Sequence, residues 1–264
     1  MSTYFKKQLL VFSNIGGYLV MLIINGLANL LPINGKTTGE LSDAYPNLFV
    51  PAGITFSIWG LIYLLLAILM FYQLYTLFRH EVASGLYIIK IGWWFVISCL
   101  LNVLWIFAWH YEVIWLSMLI MLMLLGTMII IYRRLDIGSC CSGLNEKIFV
   151  FVPFSLYLGW ISVATVANAA ALLVSVNWGR WGVSEVAWLV VVLAVVTALA
   201  LIVVFLKKDI FYALAIVWAL AGIIIKRSPG GSVQDRITVI AAMAALAIVT
   251  ISVVIQIFRR KVYR

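Results

Sequence analysis

The hydrophobic positions of this chain form long continuous runs, which short charged or Pro/Gly-rich segments interrupt. Each run is close to the ~20 residues that an α-helix needs to cross the hydrocarbon of a bilayer. The runs are unlike the ~10-residue alternating segments of a transmembrane barrel. We therefore predict an all-α, polytopic membrane helical bundle with about eight transmembrane helices. The predicted spans cover approximately residues 9–31, 50–78, 87–109, 112–132, 147–174, 184–206, 209–225 and 237–258.

The composition also indicates that lipid surrounds most side chains. Of the 264 residues, 66% are hydrophobic and 10% are charged, whereas soluble domains carry roughly 25% charged residues. A water-soluble fold of this size could not bury so much apolar surface. The net charge of +9 sits in short clusters at the ends of the runs, where cations anchor lipid head groups. The basic balance therefore indicates the lipid bilayer as the partner, and not nucleic acid.

The positions of the cations predict the orientation of the chain. If the N-terminus is cytoplasmic, 13 of the 18 Lys and Arg residues lie in inner segments and 5 in outer ones. Because cytoplasmic loops carry the excess of Lys and Arg, we expect both termini on the cytoplasmic side of a bacterial plasma membrane. The first run lacks a small-residue cleavage site, so we interpret it as a retained span. The three cysteines, Cys99, Cys140 and Cys141, have neither disulfide nor metal-site spacing.

The chain changes character near residue 175. Polar and aromatic side chains at membrane depth concentrate in the first five spans, whereas the last three are mostly Ala, Val, Leu and Ile. A polar group in hydrocarbon costs free energy unless it is paired or lines a cavity, so we place any functional site in the first five spans. We predict a five-helix unit at 1–175 and three additional helices at 176–264. The longest outer loop, 32–49, either covers an outward-facing cavity or is an ordinary connector.

Ionisable side chains are missing from the middle of the predicted spans, which argues against proton-coupled transport. The sequence also has no H-E-x-x-H, G-x-S-x-G or phosphate-binding-loop motif. His110 and Glu112 lie at a turn between two spans, where they form either a catalytic pair or, more simply, an interfacial turn. We therefore predict no catalytic residues and no metal site, and a membrane enzyme is the weakest of the functions considered.

Three aromatic–amide patches share helix faces when the spans are drawn as helices, because residues three or four apart are neighbours. The patches are, in order of span, Trp59 with Tyr63; Asn102 with Trp105 and Trp109; and Tyr157 with Trp160, Ala164 and Asn168. A single tryptophan is typical of an interfacial belt, and a single asparagine is typical of a helix–helix contact. Together, the three patches would form a flat-walled aromatic pocket for a planar apolar ligand.

At these residues the chain resembles the TspO/MBR family, the tryptophan-rich sensory proteins that include the translocator protein. The family's motifs are a proline followed by W-x-x-x-Y, an L-N-x-x-W segment, and a proline followed by Y-x-x-W and an asparagine. They match, in that order, Pro51, Trp59 and Tyr63; Leu101, Asn102 and Trp105; and Pro153, Tyr157, Trp160 and Asn168. The resemblance covers about residues 1–175 and implies a ligand pocket there. The residues that it implies as lining or bracing this pocket are Trp59, Tyr63, Asn102, Trp105, Tyr157, Trp160, Ala164 and Asn168.

The resemblance implies a hydrophobic ligand such as a tetrapyrrole or a sterol, with porphyrin or haem as a ligand and not as a resident cofactor. It implies a sensor or carrier, and a homodimer is a further expectation because relatives are often dimeric. Two departures stand out: the loop before span two lacks the family's tryptophans, and Phe154 follows Pro153 where the family has tyrosine. A passive channel or facilitator for a neutral solute, in which the patches line a path, remains the alternative function.

Overall fold

The computed structural model describes residues 3–31, 33–79, 85–138 and 143–262, with side chains from residue 4 to residue 259. These residues form helices and no β-strand. The α-helices are α1 (Thr3–Leu30), α2 (Thr38–Asp43), α3 (Ile58–Phe78), α4 (Leu86–Ile91), α5 (Trp94–His110), α6 (Ile114–Leu135), α7 (Leu144–Glu146), α8 (Val152–Ser175), α9 (Glu185–Leu206), α10 (Ile210–Arg227) and α11 (Val233–Val262). Short 3₁₀ turns lie at Ile33–Gly35, Gly53–Ser57 and Arg180–Gly182.

The helices confirm the predicted polytopic bundle. In the described part of the chain, seven helical segments are long and apolar enough to cross a membrane, and α5 is a shorter apolar helix. Large apolar side chains point away from the bundle, for example Phe71 with 72% and Ile240 with 68% of their surface exposed. Such surfaces are stable in lipid and not in water. The chain is therefore an integral membrane protein, while the orientation of its termini stays a prediction.

The predicted third span, 87–109, consists of two helices, α4 and α5, and not of one. The break is at Gly92, where φ is 56° and ψ is −142°, a backbone conformation that glycine adopts far more readily than other residues. The 17 residues of α5 form about 25 Å of helix at ~1.5 Å per residue. Since the hydrocarbon core is ~30 Å thick, α4 has to complete this crossing.

The predicted fifth span, 147–174, corresponds to one helical segment from Leu144 to Ser175. A π-helical turn occupies Lys147–Phe151 within it. Pro153 follows this turn and has no backbone N–H to donate, so the wider turn accommodates the proline ring without ending the helix. Pro32, His80, Cys140 and Cys141 lie outside the described residues, whereas Cys99 is a buried free thiol.

The last three spans pack directly on the first five, chiefly where α10 lies along α8. The approach is so close that a Cβ atom on Gly159 would overlap the backbone carbonyl of Tyr212. At the start of α10, Asp209 caps the helix through the backbone N–H groups of Phe211 and Tyr212. The Tyr132 hydroxyl donates a 2.9 Å hydrogen bond to the same carboxylate. The division of the chain into units at 1–175 and 176–264 stays a prediction.

Candidate functional site

Trp59, in the first turn of α3, is at the centre of an aromatic cluster. Its ring stacks on Tyr63 with centroids 5.5 Å apart, the arrangement expected for two residues at i and i+4. The rings of Tyr157 and Trp160 from α8 meet it edge-on, at 5.7 and 6.2 Å. Trp105 from α5 lies 6.5 Å away. The structure thus brings together the aromatic residues of all three patches.

A narrow cleft opens beside this cluster. Five of the residues implied by the sequence contribute to its wall: Trp59, Trp105, Trp160, Ala164 and Asn168. The other lining residues are Ser42, Pro51, Phe56, Trp109, Val163 and Ala167. The helical spacing of Val163 and Ala167 relative to Trp160 is a signal that could have identified them, whereas Ser42 and Phe56 come from a short helix and a 3₁₀ turn that give no such signal.

The remaining implied residues do not line the cleft: Tyr63 and Tyr157 contact the ring of Trp59, and Asn102 lies in a buried hydrogen-bond network. Asn25 of α1 donates a 2.7 Å hydrogen bond to Asn102 Oδ1, and Asn102 Nδ2 donates to the Tyr157 hydroxyl at 3.2 Å. All three of these side chains are buried, so the bonds are made away from water and connect α1, α5 and α8. This network fixes the orientation of α8, which carries Trp160.

Asn168 lies in the wall of the cleft and has its own hydrogen-bond partner. Its Nδ2 group is 3.1 Å from the Ser117 hydroxyl, which also lies 3.3 Å from Asn168 Oδ1. Ser117 belongs to α6 and is fully buried. The pair supplies a polar patch to an otherwise apolar wall, next to Ala164 and Ala167.

Two buried donors at the cleft have no acceptor among the described residues. They are the indole N–H groups of Trp105 and Trp160, whose side chains are 4% and 2% exposed. A buried donor without an acceptor costs about 1–3 kcal/mol. Most buried tryptophans satisfy this group, as Trp109 does here through the carbonyl of Thr38. Both residues line the cleft, so an acceptor atom bound there is a candidate partner for each N–H group.

The cleft is closed in this conformation. Its free volume is ≈ 30 Å³, enough for one or two water molecules but far below the roughly 300–1,000 Å³ of sites that bind small molecules. Phe56 contributes to the closure by placing its ring edge-on to Trp160, with centroids 6.1 Å apart. Ser42 of α2 and Pro51 also line the cleft. The arrangement is a packed aromatic cluster that has to open before it admits a ligand.

The loop at 32–49 is held to the turn after α5. Glu112 accepts hydrogen bonds from Lys36 at 2.8 Å and from the Tyr45 hydroxyl at 3.0 Å. These partners lower the pKa of the Glu112 carboxyl. Burial, followed by the bond to this carboxylate, raises the pKa of Tyr45 to about 12. Ser42 from this loop lines the cleft, and whether the loop is a cover or an ordinary connector stays a prediction.

The turn that contains His110 and Glu112 does not pair their side chains. His110 Nδ1 bonds to the carbonyl of Ile106 at 2.8 Å, and its own carbonyl accepts from Asn34. The carboxylate of Glu112 instead accepts hydrogen bonds from Lys36 and Tyr45. In the described ranges, no three His, Cys, Asp or Glu side chains come together as ligands for a metal ion.

Comparison with known proteins agrees with this geometry. A search of curated proteins and a search of solved structures give no match. A family model described as TSPO-like protein matches residues 10–255, which includes the aromatic cluster and continues through the last three spans. The match confirms the resemblance that the three tryptophan motifs indicate. The chain belongs to the TSPO-like protein family.

Proposed function

We propose that this membrane protein binds a planar, largely apolar molecule in the aromatic cleft and acts as a sensor or carrier for it. The observation that carries the proposal is the pair of buried indole N–H groups of Trp105 and Trp160, which have no acceptor among the described residues. Flat aromatic walls favour a flat ligand, because ring faces and edges contact it over a large area. The two donors favour a ligand with at least one acceptor atom at its rim.

A tetrapyrrole combines these properties, since its ring is planar and its carboxylate groups accept hydrogen bonds. A sterol offers a flat apolar body but a single hydroxyl oxygen. The Asn168–Ser117 pair supplies a second polar contact at the wall of the cleft. We therefore infer that a ligand with acceptors at its edge, such as a porphyrin, binds more tightly than a sterol.

The test is a titration of the detergent-solubilised protein with protoporphyrin, read by quenching of tryptophan fluorescence. Trp105→Phe and Trp160→Phe keep an aromatic ring and remove the N–H donor. Each substitution is expected to weaken binding about tenfold or more, the effect of losing one hydrogen bond to a charged acceptor. The matched control is Trp188→Phe, because that indole donates to the carbonyl of Arg180 in the turn before α9 and not to a residue of the cleft. Equal affinities of all three variants would contradict the proposal.

A further inference from the structure

The loop over the cleft, which Lys36 and Tyr45 connect to Glu112 after α5, is also held from the side of the last three helices. We call residues 43–57, which run from the end of α2 to the start of α3, the strap. Its residues Pro51 and Phe56 line the cleft, and it lies between the cleft and α10. We propose that α9 and α10 hold the strap closed, and that its release controls entry of the ligand. This inference rests on the proposed function only for the identity of the ligand that enters the cleft.

The hydrogen bonds at the centre of the strap join backbone to α10. The N–H of Ala52 donates a 3.0 Å bond to the carbonyl of Gly222. The indole N–H of Trp218 donates a 2.8 Å bond to the carbonyl of Thr55, the residue before Phe56. Since Pro51 and Phe56 flank these positions, α10 sets where the strap places its two lining residues.

The absence of a side chain at Gly222 makes this contact possible. A Cβ atom there would overlap the side chain of Thr55, which is fully buried. The Thr55 side chain of the strap therefore packs directly against the backbone of α10 at Gly222. Any larger residue at position 222 would displace Thr55.

Charged side chains of α9 and α10 hold the N-terminal half of the strap. Lys226 Nζ lies 2.5 Å from Asp43 Oδ1, and the guanidinium of Arg227 donates to the carbonyl of Asn47. Glu185, at the start of α9, accepts from the N–H of Leu48 at 3.1 Å. The strap thus has contacts with α9 and α10 along most of its length.

These contacts differ in strength, which predicts the order of their effects. The Lys226–Asp43 pair is largely exposed, so its loss weakens the strap little. Arg227 is more buried, with 20% of its side chain exposed, and its bond to Asn47 is assisted by charge. Asp235 also faces this guanidinium, at 3.4 Å, and keeps it oriented toward the strap. Arg227 and Trp218 are therefore the main positioning residues.

The first readout is hydrogen exchange of the strap amides in the solubilised protein, without a ligand. Arg227→Ala and Trp218→Phe are each expected to accelerate exchange across residues 43–57 about tenfold, and Lys226→Ala by about twofold. Two matched controls leave the strap bonds in place. In Arg236→Ala the lost bond is to Gly231 in the same turn, and in Trp188→Phe it is to Arg180. Unchanged exchange in both Arg227→Ala and Trp218→Phe would overturn the proposal.

The second readout is access to the cleft itself. A single thiol is introduced as Ala164→Cys in a protein that also carries Cys99→Ala, Cys140→Ser and Cys141→Ser. Alkylation of this thiol is expected to be about tenfold faster with Arg227→Ala, because opening of the strap precedes access. Arg236→Ala should leave the rate unchanged. Faster strap exchange without faster alkylation would overturn the role of the strap in access.

Neither readout needs the ligand, so the two proposals fail separately. If protoporphyrin does not bind but both readouts respond to Arg227→Ala, the strap is confirmed and the proposed ligand is wrong. If protoporphyrin binds and enters at the same rate in the native protein and in Arg227→Ala, the control of entry is wrong and the binding site stands.

Discussion

The indole N–H of Trp218 donates a 2.8 Å hydrogen bond to the carbonyl of Thr55, although 163 residues separate the two positions. This bond joins the seventh membrane span to the segment that precedes the second. Thr55 is followed by Phe56, whose ring contacts Trp160 in the cleft. Trp218, which belongs to the mostly aliphatic last three spans, thus bonds to the residue directly before one that lines the cleft.

The contact between Gly222 and Thr55 predicts a costly glycine substitution. In Gly222→Ala the new methyl group would overlap the Thr55 side chain, and we expect a loss of about 1–3 kcal/mol of stability. Gly126→Ala is the control, because nothing lies within 4 Å of a Cβ atom at that helical position. It should be neutral or slightly stabilising. Thermal unfolding in detergent measures both, and equal melting temperatures would show that the contact is loose.

The buried amide network predicts a coupled pair. Asn102→Leu leaves the amide of Asn25 without its 2.7 Å acceptor, so we expect a loss of about 1 kcal/mol, typical of interhelical bonds in membranes. The double substitution Asn25→Leu and Asn102→Leu removes both polar groups and should cost less than the sum of the single ones. Additive losses in a double-mutant cycle would contradict a direct interaction between the two side chains.

The strap also responds to pH through Tyr45 and Glu112. The pKa of Tyr45 is raised from 10.0 to about 12, so its hydroxyl stabilises the folded loop fully below pH ~10. This contribution is lost as the pH rises toward 12 and the phenol ionises beside Glu112. The difference in ultraviolet absorbance between the native protein and Tyr45→Phe reports this titration. In Glu112→Gln the carboxylate is absent, so the pKa of Tyr45 should fall; an unchanged value would exclude the interaction.

Much of the bundle follows from the sequence, because helices are the economical way to satisfy backbone groups in lipid and long apolar runs reveal them. The facing patches around Trp59, Trp105 and Trp160 also follow, since helical spacing places them on single faces. The break at Gly92 does not follow, because an isolated glycine inside an apolar run is compatible with a continuous helix.

The strap and its contacts also cannot be predicted from the sequence. Its contacts with Trp218, Gly222 and Arg227 depend on how α10 packs against α8, and that packing involves small residues such as Gly159, which give no distinctive pattern. The bland composition of the last three spans led us to expect no role for them near the site. Their polar contacts are few, but several of them meet the strap.

The two ends of α10 allow a loss of stability to be separated from release of the strap. At its N-terminal end, Tyr132 donates to Asp209, and about 1 kcal/mol should be lost in Tyr132→Phe. At ~1.5 Å per residue along α10, this bond lies about 14 Å from the contact of Trp218 with the strap and about 27 Å from that of Arg227. Tyr132→Phe should therefore lower the melting temperature and leave hydrogen exchange across residues 43–57 unchanged. Gly222→Ala should change both, because its methyl group acts on the strap directly. If Tyr132→Phe also accelerated hydrogen exchange of the strap amides, general loosening of the bundle would account for release of the strap. The local contacts of α10 would then not control the cleft.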